Sequence, residues 1–445
     1  MTDISIDFTK LKGSIKRLHG VNNGPEGYGT LVDVSHYYKK AQIPLVRLHD
    51  PNYPHAWEID IHTIFPDFSK DPEDPASYEF SRSDAYIQRI IATGAQILFR
   101  LGESIEHTER KYYVYPPADF NKWAQICIGI IRHYNQGWAD GFQFGIEYWE
   151  IWNETDVTEK MWSGGTYEQY YELYRIASTA IKQFDPSLKV GGPAAAFARK
   201  EMMQGFLKFC QQERLPLDFC SWHMYGDDPE AVRELALYVR RQLDDHGFTH
   251  TESVFDEWSY FEDELWNVIL LPGSEYVRKE MFERSKGVEG ASFSAAVLTM
   301  LQDCPVDQAT YYDGQPNALF CGLFDYYGVP QKTYHAFEAF NRLAQYPNKV
   351  ELTLAEEAQG LYSCATVNDD GEAAVLISNY SGRTRFYELE LKGLQQQSNS
   401  ELYILDRERN LQREDLEWKE PGRLSLLLPK RSVVLLKFVG ADGTC

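Results

Sequence analysis

Two stretches of this chain place acids where buried runs end. Tyr148-Trp149-Glu150-Ile151-Trp152-Asn153-Glu154-Thr155-Asp156 opens as a buried strand and closes in a polar cluster, and Val254-Phe255-Asp256-Glu257-Trp258 repeats the pattern further along. Two facing carboxylates, one protonated and one ionised, can give a proton to a leaving oxygen while the other attacks carbon or activates water. Burial and the neighbouring anion would hold the acid's proton near neutral pH. Asn153 adds an amide beside Glu154.

Such side chains need a frame that aims them at each other. Short apolar, β-branched runs alternate with helical patterns from about residue 15 to 345. The strand-like runs are Arg17–Val21, Leu45–His49, Gln96–Leu101, Glu147–Trp152, Leu188–Gly192, Phe219–His223, Ser253–Glu257 and Gln308–Asp313. Between them, Asp84–Thr93, Ala118–Tyr134, Thr166–Phe184, Lys200–Glu213 and Pro229–Gly247 show helical periodicity. Eight strands alternating with helices predict an α/β fold, a (β/α)8 TIM barrel spanning residues 15–347. Catalytic groups of such barrels sit at the C-terminal strand ends, and strands four and seven lie on opposite sides of the ring, so Glu154 and Glu257 can meet across the mouth. Glu150, Trp152 and Glu154 share parity, as do Arg47 and His49. A lone buried charge is costly, which predicts that Arg47 meets Glu150 or Glu257.

After a helix over Thr333–Gln345 the pattern changes. Residues 348–445 carry short alternating runs: Glu351–Leu354, Leu361–Val367, Ala373–Asn379, Arg385–Leu391, Glu401–Leu405, Arg423–Leu428 and Ser432–Phe438. Turn signals such as Asn368-Asp369-Asp370-Gly371 separate them, which predicts a C-terminal all-β sandwich. Ile4–Phe8, within the first 14 residues, can add a strand to it.

Composition narrows the function classes. The 445 residues carry a formal net charge of −22, which argues against nucleic acid and anionic membrane surfaces but does not repel neutral sugars. No run of about 18 apolar residues exists to span a membrane. The start, Met1-Thr2-Asp3-Ile4-Ser5-Ile6, lacks the basic and apolar segments of a signal peptide, which predicts a cytoplasmic protein. The seven cysteines match neither zinc spacing nor a disulfide framework, so free thiols are expected. No metal-ligand spacing, phosphate-cradling loop or serine nucleophile elbow is present, so neither metal nor cofactor is expected. A homo-oligomer is left open. Glu103, Glu106, His107 and Glu109 read as a solvated charged loop.

Trp149-Glu150-Ile151-Trp152-Asn153-Glu154 with Asp156 resembles the acid/base signature of glycoside hydrolase family 39, retaining barrel enzymes that include β-xylosidases and α-L-iduronidases. Leu45-Val46-Arg47-Leu48-His49, Lys189-Val190-Gly191-Gly192-Pro193 and Leu217–Tyr225 resemble its second, fifth and sixth strands. Asp256-Glu257-Trp258 stands at its nucleophile motif, and Gly328–Phe337 resembles the entry to its last helix. Thr155, Asp256 and Trp222 depart from the family's usual Pro, Thr and Thr.

The resemblance implies a retaining exo-glycosidase acting on β-xylosides or related pentosides, with Glu154 as acid/base and Glu257 as nucleophile. An α-L-arabinoside, uronoside or exopolysaccharide substrate is the alternative within the mechanism; a catalytically silent carbohydrate-binding barrel is the alternative outside it. Because strand side chains alternate, only one of Asp256 and Glu257 should point into the mouth. The family pattern, with Glu directly before Trp, selects Glu257 and leaves Asp256 dispensable. The implied sugar contacts are His49, Asn153 on a 2-hydroxyl, His223, and Tyr225, which would also bond the nucleophile. Trp258 and Tyr312 read either as apolar faces for a sugar ring or as core aromatics. The apolar segment Tyr260–Tyr276 is expected to wall one side of the mouth into a pocket.

Overall fold

The protein was studied as a computed structural model, which describes residues 2–27, 29–53, 58–316, 320–394 and 399–439. Eight parallel strands close into a barrel. In chain order they are Gly20–Asn22, Leu45–Leu48, Gln96–Leu101, Tyr148–Ile151, Lys189–Ala195, Phe219–Gly226, Glu252–Tyr260 and Gln308–Tyr311. The eight runs read from the sequence each overlap one of these strands, the first, Arg17–Val21, by Gly20 and Val21 alone.

The strand period decides what fills the interior. Leu45, Leu98, Tyr148, Phe219 and Val254 form one apolar layer inside the N-terminal end of the barrel. Two residues further along, the same face of the strands carries Arg47, Arg100, Glu150, Ser221 and Asp256, none with measurable exposure. The barrel is thus an apolar plug below and a charged cup above. Intervening residues such as Val46, Phe99, Trp149 and Ile151 face outward and pack on the helices.

The helices Ser81–Ile91, Phe120–Gln136, Tyr167–Phe184, Glu201–Glu213, Pro229–Asp245 and Lys332–Ala344 lie close to where periodicity places them. Two further helices, Glu275–Lys286 and Val288–Met300, fill the crossover from strand seven to strand eight and carry no clear amphipathic signal. From Gly290 to Met300 every residue of the second is buried, so it has no polar face to reveal its period.

The C-terminal part forms one mostly antiparallel sheet of ten strands in continuous hydrogen-bonded order. The N-terminal strand Ile4–Ser14 belongs to it, antiparallel to Asn348–Leu354 and parallel to Arg385–Lys392. Ile4, Val375, Leu389, Leu424 and Leu436 share a core distinct from the barrel's. The alternate residues Ala374, Leu376, Val433 and Leu435 instead join the barrel's core. The strands Ala373–Asn379 and Ser432–Phe438 are therefore covered on both faces, and Ser378 donates to the carbonyl of Ser292 on the buried helix at 2.7 Å. The three-residue strands Gln412–Glu414 and Trp418–Glu420 at the sheet's two edges have no counterpart in the sequence reading.

Candidate active site

The fourth strand ends at Ile151, and the chain then turns sharply. Trp152 and Glu154 adopt positive φ of 67° and 45°, a conformation that non-glycine residues take only when their surroundings impose it. Here the surroundings are specific. The Trp152 indole donates to the Met161 carbonyl at 2.7 Å, and Glu154 N–H donates to the Ala194 carbonyl at 3.0 Å. Asp156 accepts from the backbone of Ala196 and Phe197 and ties the loops after strands four and five together. The turn leaves Glu154 part-exposed above the cup, with Asn153 beneath it fully buried.

The seventh strand departs from the alternation expected of it. Its register against the sixth strand shifts between Phe255 and Glu257, and against the eighth between Phe255 and Trp258. At this bulge the Asp256 carbonyl accepts from Asn22 Nδ2 at 2.8 Å and from Thr310 Oγ1 at 2.6 Å. The extra residue lets Asp256 and Glu257 both face the interior. The expectation that only one of them could do so is corrected, and Asp256 is no bystander. Trp258 is corrected too: the bulge turns it outward, 1% exposed, against Tyr311 and Phe337 in the helix-side core. It offers no face to a sugar.

Arg47 is the hub beneath the mouth, as the parity argument predicts. Its guanidinium lies 2.7 Å from Glu150 Oε2, 3.0 Å from Asp256 Oδ2 and 3.2 Å from Glu257 Oε2, and donates to Asn153 Oδ1 at 2.6 Å. Asn153 is thus already engaged by Arg47, with His49 Nε2 3.4 Å from its amide nitrogen. Burial pushes Glu150 up to about 8, while Asp256, despite its burial, is held down at about 2 by Arg47 and His223. Burial thus favours the neutral form of Glu150, whereas the two cations favour the charged form of Asp256.

His223 spans the cup from the sixth strand. Nδ1 lies 2.8 Å from Glu154 Oε1 and 3.7 Å from Glu257 Oε2, and Nε2 lies 3.3 Å from Asp256 Oδ1. Burial alone would neutralise it, but Glu257, Asp256 and Glu154 together hold its pKa well above the usual histidine value. His49 shows the reverse: burial, Arg47 and Arg100 keep it neutral. Tyr225 donates to Glu257 Oε1 at 2.5 Å. Burial raises the Glu257 carboxyl, with Glu154 adding to the rise and His223, Arg47 and Tyr225 opposing it. Single ligand atoms of Glu154, His223 and Glu257 all lie within 4.8 Å of one another.

Tyr312 lies at the mouth, its hydroxyl donating to Asp50 at 3.1 Å, and its ring centroid is 6.4 Å from that of Tyr225. Asp50 is a site residue that the sequence reading passes over, although its place just past the second strand was a signal. Burial and the charges of Glu257 and Asp313 push its carboxyl well above the ordinary range. Glu103, read as part of a solvated loop, is buried instead and takes the N–H and Nδ1 of His62, whereas His107 and Glu109 are exposed. Asp60, His62 and Glu103 bring ligand atoms within 4.8 Å of one another, but the oxygens of Asp60 and Glu103 already accept from Arg100, Ser104 and His62.

The model for glycosyl hydrolases family 39 matches residues 34–253, a stretch that includes Glu154 and His223 and stops just short of Glu257. A β-xylosidase of Geobacillus stearothermophilus is 26% identical over 283 residues, 58% of this chain and 51% of that protein. A β-xylosidase of Caldicellulosiruptor saccharolyticus is 24% identical over 330 residues, 68% of this chain and 64% of that one. The chain thus spans about half to two thirds of the length of these curated relatives. The crystal structure of a glucosidase from Croceicoccus marinus superposes with a TM-score of 0.82 at 28% identity, covering 99% of this chain and 100% of the other. A monomeric β-xylosidase from Caulobacter crescentus shares the fold, with a TM-score of 0.72 at 17% identity over 99% of this chain and 100% of that one.

Proposed function

The chain is a relative of glycoside hydrolase family 39, and from that kinship we propose that it is a retaining exo-glycosidase. Glu257 attacks the anomeric carbon while Glu154 gives its proton to the leaving oxygen. A covalent glycosyl-enzyme results, and Glu154, now a base, draws a proton from the water that releases it. The observation that carries this reading is the approach of a Glu154 oxygen to within 4.8 Å of a Glu257 oxygen from opposite sides of the barrel. Retaining pairs stand about 5–5.5 Å apart, and inverting pairs about 6.5–9.5 Å, because a water must fit between the latter and the sugar. Proton NMR of the first-formed sugar should show the anomer of the substrate; the opposite anomer contradicts the reading.

Tyr225 and Glu257 make the pH dependence specific. The nucleophile must be ionised, and its carboxyl is raised from the ordinary 4.5. Activity should therefore fall, as pH drops, through an acid limb lying above 4.5. Tyr225→Phe removes a donor that favours the ionised form. The limb should move further up, and kcat/KM near neutral pH should fall by about tenfold or more, the worth of a hydrogen bond to a charged group. A pH–rate profile with its limb unmoved would contradict this.

The β-xylosidase relatives favour a β-xyloside, and the glucosidase of similar length favours a glucoside as the second reading. Initial rates on nitrophenyl xyloside, glucoside and α-L-arabinoside separate them. Exo action is supported by the segment after strand seven. Phe261 and Ile269 are buried anchors, and Trp266 stacks on Phe261 at 4.0 Å and meets the Tyr225 ring edge-on at 5.5 Å, so it stands as a wall beside the nucleophile's partner. An oligosaccharide ladder should be shortened one sugar at a time; internal cuts giving mixed lengths contradict a pocket. The reading keeps the enzyme in the cytoplasm, which suits the six buried free thiols among the described residues; Cys445 lies outside them.

A further inference from the structure

Asp256 takes no part in the two-carboxylate scheme, yet it is fully buried at the seventh-strand bulge and aimed into the cup. Its two oxygens face two different cations: Oδ2 lies 3.0 Å from Arg47 and Oδ1 lies 3.3 Å from His223 Nε2. Arg47 has Glu150 and Glu257 as further partners, whereas the Nε2 edge of His223 has Asp256 as its carboxylate. The opposite edge of the same ring holds Glu154 Oε1 at 2.8 Å. The imidazole therefore links the acid residue of strand four to a buried anion of strand seven.

We propose that Asp256 is a positioning residue for acid catalysis: through His223 it keeps a charged imidazolium fixed on Glu154 Oε1, so that Oε2 alone is left to carry the proton to the leaving oxygen. The inference rests on the reading of Glu154 as general acid. A neutral imidazole could turn its bare nitrogen to a protonated Glu154 and take its proton as an acceptor, and a ring without a partner at Nε2 is free to tilt. A carboxylate 3.3 Å from Nε2, a charge contact rather than a formed hydrogen bond, opposes both, because its charge favours a proton on that edge as well. The other charged groups facing His223 are Glu257 at 3.7 Å from Nδ1, Asp156, and the cation of Arg47 behind Asp256; His49, also nearby, is neutral. Of the anions among these, Asp256 alone meets the Nε2 edge. It occupies this place although neither proton transfer nor nucleophilic attack requires it.

The test compares the full-length wild type with Asp256→Asn. Histidine-ring nitrogen NMR should show His223 of the wild type carrying protons on both nitrogens well above pH 6.5; a ring that titrates near 6.5 in the wild type overturns the proposal without any mutation. In Asp256→Asn the His223 titration should move to lower pH. Its kcat/KM should fall by about 10²–10³-fold on an alkyl glycoside, whose leaving group needs the proton. On a dinitrophenyl glycoside, which leaves without one, the loss should be below about tenfold. Equal losses on both substrates, or an unmoved His223 titration, would show that Asp256 serves only the fold. If wild type hydrolyses no glycoside, the reading of Glu154 fails, while the ring titration still decides whether Asp256 controls His223.

Discussion

Replacing Glu257 by Gln should lower turnover by on the order of 10⁴-fold or more while leaving the fold intact, because an amide cannot form the glycosyl ester. The change costs one of the two hydrogen bonds that hold the carboxylate. The substituted amide keeps an oxygen for one of the two donors, the Tyr225 hydroxyl on Oε1 at 2.5 Å or Arg47 Nη1 on Oε2 at 3.2 Å, and loses the other contact. Arg47 would still be balanced by Asp256 and Glu150. The comparison with Asp256→Asn is informative because both carboxylates face the same cup. If Glu257 is the nucleophile, its loss is nearly total on every leaving group, whereas the loss from Asp256→Asn depends on the leaving group. Steady-state rates on purified variants with matching circular dichroism make the distinction. The reverse ranking would mean that the bulge presents the other acid to the sugar.

Arg47→Met should destabilise the protein by about 3–5 kcal/mol, the usual cost of leaving buried charges without their partner. Arg47 has no measurable exposure, and the carboxylates of Glu150, Asp256 and Glu257 converge on it. Its removal leaves Asp256, held down at about 2 in the native state by Arg47 and His223, with only His223 of these two cations. The sign of the pH dependence follows. An acid whose native pKa is depressed stabilises the fold above its unfolded pKa and loses that contribution as pH falls toward the native value. The wild-type advantage over Arg47→Met should therefore be present at neutral pH and shrink between about pH 4 and pH 2, as far as both proteins stay folded. Urea midpoints at several pH values measure it. A neutral-pH loss below about 1 kcal/mol would show that the cluster relaxes or admits water, and that Arg47 is not its hub.

Much of this arrangement is legible in the chain. Leu361–Val367, Ala373–Asn379, Arg423–Leu428 and Ser432–Phe438 are strands with the very ends that alternation and turn residues assign them. Five of the barrel strands are legible because their inward face passes from apolar to polar; Leu45 to Arg47, Tyr148 to Glu150 and Val254 to Asp256 record the passage from plug to cup. The pairing of Arg47 with Glu150 follows from parity and the cost of a lone buried charge. What stayed hidden involves contacts remote in sequence. The bulge at Asp256 is held by Asn22 and Thr310, from strands one and eight, and no local pattern announces it. It alone decides that Asp256 turns inward and Trp258 outward. Val288–Met300 escapes periodicity because it is enclosed by both the barrel and the sheet. Glu103 lies among charged neighbours in the chain but folds under His62, a partner far away in sequence.

The central claim is that Glu257 becomes covalently bound to the sugar, and trapping that intermediate tests it most directly. The wild-type enzyme is incubated with a 2-deoxy-2-fluoro glycoside bearing a dinitrophenyl leaving group, in the sugar series that the initial-rate screen selects, then digested and mapped by mass spectrometry. Loss of activity should track the gain of one fluoroglycosyl unit, and fragmentation should place it on Glu257. A label on Asp256 or on Glu154, or turnover of glycosides with no label at all, would contradict the account.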